Sequence, residues 1–313
     1  MGRGVFSRYK HNPLITVRDL PYQSNTVFNA GVADLGDEVV LLVRIESCSG
    51  RSHITVARSK DGVKGWKFEE QALMHPVQDY PYESYGVEDC RITRMEDLDS
   101  WALVYTAYSE IGAGVALAMT KDFRTVERRG IMFPPEDKDA ALFPSKIGDR
   151  YAIIHRPAEM GGNIWVSYSP DLTYWGKSQL VLAVRGGPWW DGARVGAGLP
   201  PIRTDAGWLI IYHGVKIVAR RPIYRVGAAL LDLEDPHRMI GRARRWLMSP
   251  DAPYEWYGDA PNVVFPSGGF IRGDELWIYY GAADSCICLA TAKLDDVLNI
   301  VLEESVGGPV KGQ

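Results

Sequence analysis

Acidic, basic and amide side chains stand at corresponding ends of otherwise apolar runs along this chain. Asn29, Asp89, Lys138, Arg194 and Asp259 fall at or near the starts of one set of strand-like runs, while Arg44, Arg156, His213 and Asp284 fall at or just past the ends of a second set. Hairpin neighbours run antiparallel, so the start of one strand and the end of the next meet at one end of a sheet. Taken singly, each charge need only cap a strand in solvent. Together they describe one cleft that holds both carboxylates and cations. Arg156 closes the run Ala152-Ile153-Ile154-His155, and burying a guanidinium there is costly without an anionic partner.

The elements that would bring these residues together repeat. Polar turns at Ser59-Lys60-Asp61, Thr120-Lys121-Asp122, Ser169-Pro170-Asp171, Leu233-Glu234-Asp235 and Leu294-Asp295-Asp296 place their aspartates 61, 49, 64 and 61 residues apart. That spacing suits one four-stranded propeller blade per repeat. Within each repeat an apolar run reads as a buried strand, at 39–44, 101–106, 151–156, 208–213 and 276–281. A Gly- or Asp-bearing turn precedes each. Before the turn lies a further strand, at 28–34, 86–94, 140–147, 194–203 and 262–271, which would be the innermost of its blade. The expected fold is therefore all-β, a five-bladed β-propeller in one domain over 1–313, with its site at the axial mouth.

Composition fits an enclosed β domain. The chain has 313 residues, 46% hydrophobic, with ten Trp and sixteen Tyr, enough apolar surface for a large core. A net charge of −4 offers no general attraction for nucleic acid or anionic membrane, so neither is an expected partner. The N-terminal residues lack the apolar core of a signal peptide and no stretch approaches a membrane span, which makes a cytoplasmic location the expectation. Cys48, Cys90, Cys286 and Cys288 lack CxxC spacing and read as reduced and buried, with Cys286 and Cys288 on one face of a strand. The six His show no metal-ligand spacing, so no metal is expected. Gly112-Ala113-Gly114 and Gly196-Ala197-Gly198 lack the remaining glycine of a dinucleotide fingerprint and read as strand and turn glycines. The basic run Arg242-Ala243-Arg244-Arg245 reads as a solvated edge or subunit contact.

Several stretches, in order, carry a family resemblance: Gly86-Val87-Glu88-Asp89-Cys90-Arg91, Lys138-Asp139-Ala140-Ala141-Leu142-Phe143-Pro144, His155-Arg156-Pro157, Gly196-Ala197-Gly198-Leu199-Pro200, Tyr212-His213-Gly214, Pro261-Asn262-Val263-Val264-Phe265-Pro266 and Tyr279-Tyr280-Gly281-Ala282-Ala283-Asp284. Over nearly its whole length the chain resembles glycoside hydrolase family 130, the β-mannoside phosphorylases. The resemblance implies a five-bladed propeller and reversible, inverting phosphorolysis of β-mannosides to α-mannose 1-phosphate and a shortened sugar. Inorganic phosphate would be the co-substrate, with no other cofactor, and the partner a mannose-containing oligosaccharide. Because family members often form oligomers, a homo-oligomer is a further expectation.

The same resemblance assigns roles. Asp89 would be the catalytic general acid, passing its proton through a sugar hydroxyl, and its pKa should be raised if it is to hold that proton at neutral pH. Arg156, Arg194, His213, Tyr224 and Lys138 would bind phosphate. Asn29, Arg44, Arg91 and Asp284 would bind sugar. Independently of the resemblance, Tyr82, Tyr85, Trp189, Trp190 and Tyr257 would either stack on sugar faces or pack between blades, and Trp189-Trp190, in a loop after Gly186-Gly187-Pro188, is the best candidate for a substrate platform. Regular alternation would turn Glu88 to the opposite face from Asp89. Where the family commonly has Pro after the catalytic Asp, this chain has Cys90, which frees an N–H and leaves Asp89 less fixed by its own backbone. An inverting hydrolase needs two carboxyl groups because water must be deprotonated as it attacks, whereas phosphate is already an anion and a second carboxylate would repel it. A β-mannosidase on the same fold, lacking the phosphate cations, and a non-catalytic glycan-binding propeller are the alternatives.

Overall fold

Continuous apolar and β-branched runs such as Val39-Val40-Leu41-Leu42-Val43 are buried on both faces, the pattern of a strand sandwiched between layers. A computed structural model of the chain describes residues 4–77 and 80–303; Met1 to Arg3 and the C-terminal end of the expected 1–313 domain lie outside the described residues. The fold is all-β. Repeat 1 holds the antiparallel strands Thr26–Asp34, Val39–Glu46 and Ser52–Ser59, and repeat 2 holds Gly86–Met95, Ser100–Ser109, Gly112–Thr120 and Glu127–Phe133. A single parallel pair, Ser52 with Gly86, joins these two into one sheet. Repeat 3 runs Asp137–Leu142, Tyr151–Pro157, Ile164–Ser169 and Gly176–Leu182. Repeat 4 is built on the long hairpin Gly207–Val218 with Arg221–Leu231, and repeat 5 on Val264–Arg272, Glu275–Ala282 and Cys286–Lys293. The N-terminal strand Ser7–Arg8 pairs with Cys286–Lys293, so the first strand of the chain joins the sheet of its last.

Apolar clusters fill the spaces between successive repeats. Val40, Leu42 and Ile54 meet Val87, Leu103 and Tyr105 between repeats 1 and 2, and Val27, Val39 and Leu41 meet Tyr279, Ile287 and Leu289 between repeats 1 and 5. Similar clusters lie between repeats 2 and 3, 3 and 4, and 4 and 5.

The polar turns depart from the expected pattern in two places. Asp61, Asp122 and Asp171 each accept two backbone N–H bonds from the residues that follow, an Asx turn that closes the hairpin. In repeat 4 the residue that does this is Asp232, not Asp235. The expected turn at Leu294-Asp295-Asp296 is instead the start of the helix Leu294–Glu303, whose Val297 and Val301 are buried. Of the expected inner strands, 140–147 is found earlier, at Asp137–Leu142. The expected 194–203 is split into Arg194–Ala197 and Ile202–Thr204, because Pro200 and Pro201 cannot donate to a ladder.

Three inner strands break their register in the same way. The ladders skip Asn29 between Phe28 and Ala30, Asp89 between Glu88 and Arg91, and Asp139 between Lys138 and Ala141. Those three residues adopt left-handed backbone, with φ of 46°, 49° and 52°. Asn and Asp tolerate that region better than other side chains, and a bulge re-aims the side chain it carries.

Candidate active site

A pocket of about 360 Å³ collects the bulge residues Asn29, Asp89 and Asp139 together with Arg44, Lys138, Arg156, Arg194, His213, Tyr224 and Asp284. Apart from the aromatic platforms, every site residue expected from sequence lines it except Arg91. A larger groove of about 920 Å³, lined by residues such as Met119, Tyr151 and Leu172, contains none of them.

Repeats 5, 1 and 2 supply an acid group. Asp89 Oδ1 accepts from Asn29 Nδ2 at 3.0 Å and from Arg44 Nη1 at 3.0 Å. Arg44 also donates through Nη2 to Glu88 Oε1 at 2.9 Å and through Nε to Ser52 Oγ at 3.1 Å, and it lies over the Phe28 ring. Glu88 therefore does not turn to the opposite face: the bulge at Asp89 breaks the alternation, and one guanidinium holds both carboxylates. Asn29 can lie this close to the next strand because Gly281 stands opposite, where a Cβ would collide with Asn29 Oδ1. Burial pushes the Asp89 carboxyl up, but the charges of Arg44 and Arg91 and the Asn29 and Arg44 hydrogen bonds outweigh it and hold the group below its ordinary value. The expected upward shift is thus reversed. Burial raises Glu88 and, with the Asp89 charge adding to it, pushes Asp284 up to about 6.

Arg91 is a correction of a different kind. Only 1% exposed, it donates to the carbonyls of Gly198, Asp89 and Ala197. It braces the backbone behind the acid and does not reach the pocket. Cys90 is buried in the core between repeats 1 and 2, and Asp89 is fixed by Asn29 and Arg44 despite the missing proline.

Repeats 3 and 4 supply a basic group. Arg156, cross-strand from Lys138, clamps Asp139 Oδ2 with Nε at 2.8 Å and Nη2 at 2.7 Å. His213 Nε2 lies 3.5 Å from the same oxygen. Sequence reasoning missed Asp139, although a charged residue inside the run Lys138-Asp139-Ala140-Ala141-Leu142, at the place held by Asn29 and Asp89 in their repeats, was the available signal. A Cβ at position 196 would strike both Asp139 Oδ2 and the His213 ring, so Gly196 permits the cluster. His213 is not the cation expected: burial takes it down to about 3, the attraction of Asp139 is insufficient to offset that, and Arg156, Arg91 and Arg194 push the same way. It is a neutral imidazole packed on Phe265 at 4.6 Å and Tyr224 at 5.6 Å. Arg194 lies over the Tyr224 ring at 5.6 Å and, among the described residues, makes no ion pair. Lys138 acts by charge on Glu88, Asp139 and Asp284.

None of the expected aromatic platforms lines the pocket. Trp190 is 4% exposed, stacked on Tyr212 and laid flat over Gly214 and Gly227. Trp189 stacks under Arg185. Cys48 is exposed, against expectation, while Cys90, Cys286 and Cys288 are buried and all four are free thiols. Among the described residues no group of three or more His, Cys, Asp or Glu is placed to hold a metal, and no helix is long and apolar enough to cross a membrane.

Comparison with known proteins identifies the family. Residues 5–303 match the glycoside hydrolase family 130 profile, described as beta-1,4-mannooligosaccharide phosphorylase. The chain belongs to glycoside hydrolase family 130. It is 33% identical to the beta-1,2-mannobiose phosphorylase of Listeria innocua, over 93% of this chain and 97% of that protein. With the beta-1,4-mannooligosaccharide phosphorylase of Ruminococcus albus it shares 32% identity, over 97% and 92%. The Listeria innocua beta-1,2-mannobiose phosphorylase, solved in complex with beta-1,2-mannobiose, superposes with a TM-score of 0.87, covering 96% of this chain and 99% of that one.

Proposed function

We propose that this chain is an inverting β-mannoside phosphorylase that converts β-1,2- or β-1,4-linked mannosides and phosphate to α-mannose 1-phosphate and a shortened sugar. The observation that carries the reading is the composition of the anion seat. Arg156, Arg194, Lys138, the neutral His213 and the Tyr224 hydroxyl converge there, and the carboxylate among them, Asp139, is locked by two bonds from Arg156. A locked carboxylate held far below its ordinary range by that charge is a poor base for water. An oxyanion needs no base.

In the reaction, a phosphate oxygen attacks the anomeric carbon from the face opposite the leaving oxygen, and that carbon–oxygen bond breaks with its electron pair passing to the departing sugar. Asp89 supplies the proton, by way of a sugar hydroxyl. The cations around Asp89 hold its carboxyl below the ordinary range, so in this reading it takes up its proton as the substrates bind. Phosphate brings negative charge that shares the surrounding cations, and sugar excludes water; both raise a neighbouring carboxyl. Arginine suits the seat because its planar fork gives two parallel charge-assisted bonds to phosphate. Asn29, Arg44 and Asp284 are left to meet sugar hydroxyls.

The five repeats close, in this reading, as one five-bladed propeller with the pocket at its axial mouth. Its support is the apolar cluster between repeats 5 and 1 and the N-terminal strand added to the last sheet; a crystal structure with that seam open would overturn it. The activity is tested by incubating the protein with β-1,2- and β-1,4-mannobiose, with and without phosphate. Mannose 1-phosphate should form only with phosphate, and free mannose released without it would sink the proposal.

A further inference from the structure

We propose that Asp139 is the positioning residue of the anion seat, the group that decides which edge of Arg156 meets phosphate. The inference rests on the proposed phosphorolysis and adds to it a residue with no role in proton transfer.

The bulge is the starting point. Phe28 pairs with Arg44 and Lys138 pairs with Arg156, and in each case the next residue, Asn29 or Asp139, is the bulged one. In repeat 2 the corresponding cross-strand partner of Glu88 is Thr106. Asp89 therefore has no cross-strand arginine in its own repeat and takes its side-chain bond from Arg44 of repeat 1. Asp139 has its own. It receives both Nε and Nη2 of Arg156 on a single oxygen, which uses up that edge and leaves Nη1, without a partner among the described residues, for a ligand in the pocket. Without Asp139 the guanidinium could turn on its stem, and an entering phosphate would have to order it at a cost in rotamer freedom.

Charge works in the same direction. Arg156, Arg194 and Lys138 would otherwise crowd three positive groups into one pocket. The buried Asp139 carboxylate cancels one of them permanently, so the seat tolerates its own cations. Its Oδ2 also faces His213 Nε2, and an acceptor there favours a proton on that nitrogen. Gly196 supports the arrangement by leaving room for both groups.

The test is steady-state kinetics on Asp139→Asn, which keeps the shape and removes the charge. KM for phosphate should rise about tenfold or more, and KM for mannose 1-phosphate should rise similarly in the synthetic direction. KM for the mannoside at saturating phosphate should stay within about twofold. Arg156→Lys and Arg156→Lys/Asp139→Asn should then have the same phosphate KM, because Asp139 acts through that arginine. Gly196→Ala, which displaces Asp139 without removing it, should reproduce the phosphate defect if Asp139→Asn fails to fold. Equal rises in both Michaelis constants, or additive effects in the double variant, would overturn the inference. A wild-type protein whose turnover ignores phosphate would instead overturn the functional reading beneath it.

Discussion

Asp89 and Asp139 occupy the same kind of bulge with nearly the same backbone torsion, φ 49° and 52°, yet their surroundings suit opposite tasks. Asp89 shares Arg44 with Glu88 and receives one bond from it, in a group that also contains Asp284. Asp139 takes two bonds from Arg156 and, among the described residues, shares them with no other carboxylate. A carboxyl among other carboxyls can be returned to its acid form when a charged ligand arrives, whereas one clamped by an undivided guanidinium cannot. In the proposed reaction one backbone device thus yields a proton donor in repeat 2 and a fixed counter-charge in repeat 3. The chemistry is set by which neighbouring strand supplies the arginine.

The largest effect expected from breaking this contrast is at the donor. Asp89→Asn should lower kcat by about 10³-fold or more, the upper part of the range for a general acid, with the melting temperature little changed; activity within tenfold of wild type would remove Asp89 from its role. Next comes the brace behind it. Arg91→Met should cost about 3–5 kcal/mol of stability in urea unfolding, because three buried carbonyls lose a charged donor. A soluble, stable variant with a selective loss of sugar binding would return Arg91 to the pocket. On the anion side, Arg194→Ala should raise KM for phosphate about 10- to 100-fold while leaving KM for the mannoside nearly unchanged, the reverse of what a sugar-binding arginine would show.

The smallest expected effect concerns pH. Asp284 sits at about 6 in the folded chain, above its unfolded value, so its favourable contribution is complete below about pH 4 and is lost as pH rises through 6. Relative to Asp284→Asn, the wild-type melting temperature should fall by about 2–4 °C between pH 4.5 and 7; parallel curves for the two proteins would show that the carboxyl is not displaced.

Much of this arrangement was legible in the residues. The second strand of each repeat announced itself as an unbroken apolar run; antiparallel pairing brought the polar ends together within each repeat, and the expected arrangement of repeats around one axis brought Asn29, Arg44, Asp89, Arg156, His213 and Asp284 to one mouth. What escaped depends on departures from regular geometry. Alternation sent Glu88 away from Asp89, and the bulge brought it back. The composition of Gly86-Val87-Glu88-Asp89-Cys90-Arg91 does not reveal that Arg91 spends its donors on carbonyls more than 100 residues away. The neutral state of His213 follows from burial beside three arginines, which no local pattern encodes. Trp189 and Trp190 looked like a platform because a Gly-Pro loop precedes them, but the glycines at 214 and 227 make a slot that draws Trp190 inward.

Calorimetric titration of inorganic phosphate into the Asp89→Asn variant tests the division between donor and anion seat most directly. Phosphate should bind with a dissociation constant within about threefold of wild type while turnover is lost. A protein that loses phosphate binding along with Asp89 would show that acid and seat are one unit, and the account given for the pocket would fail.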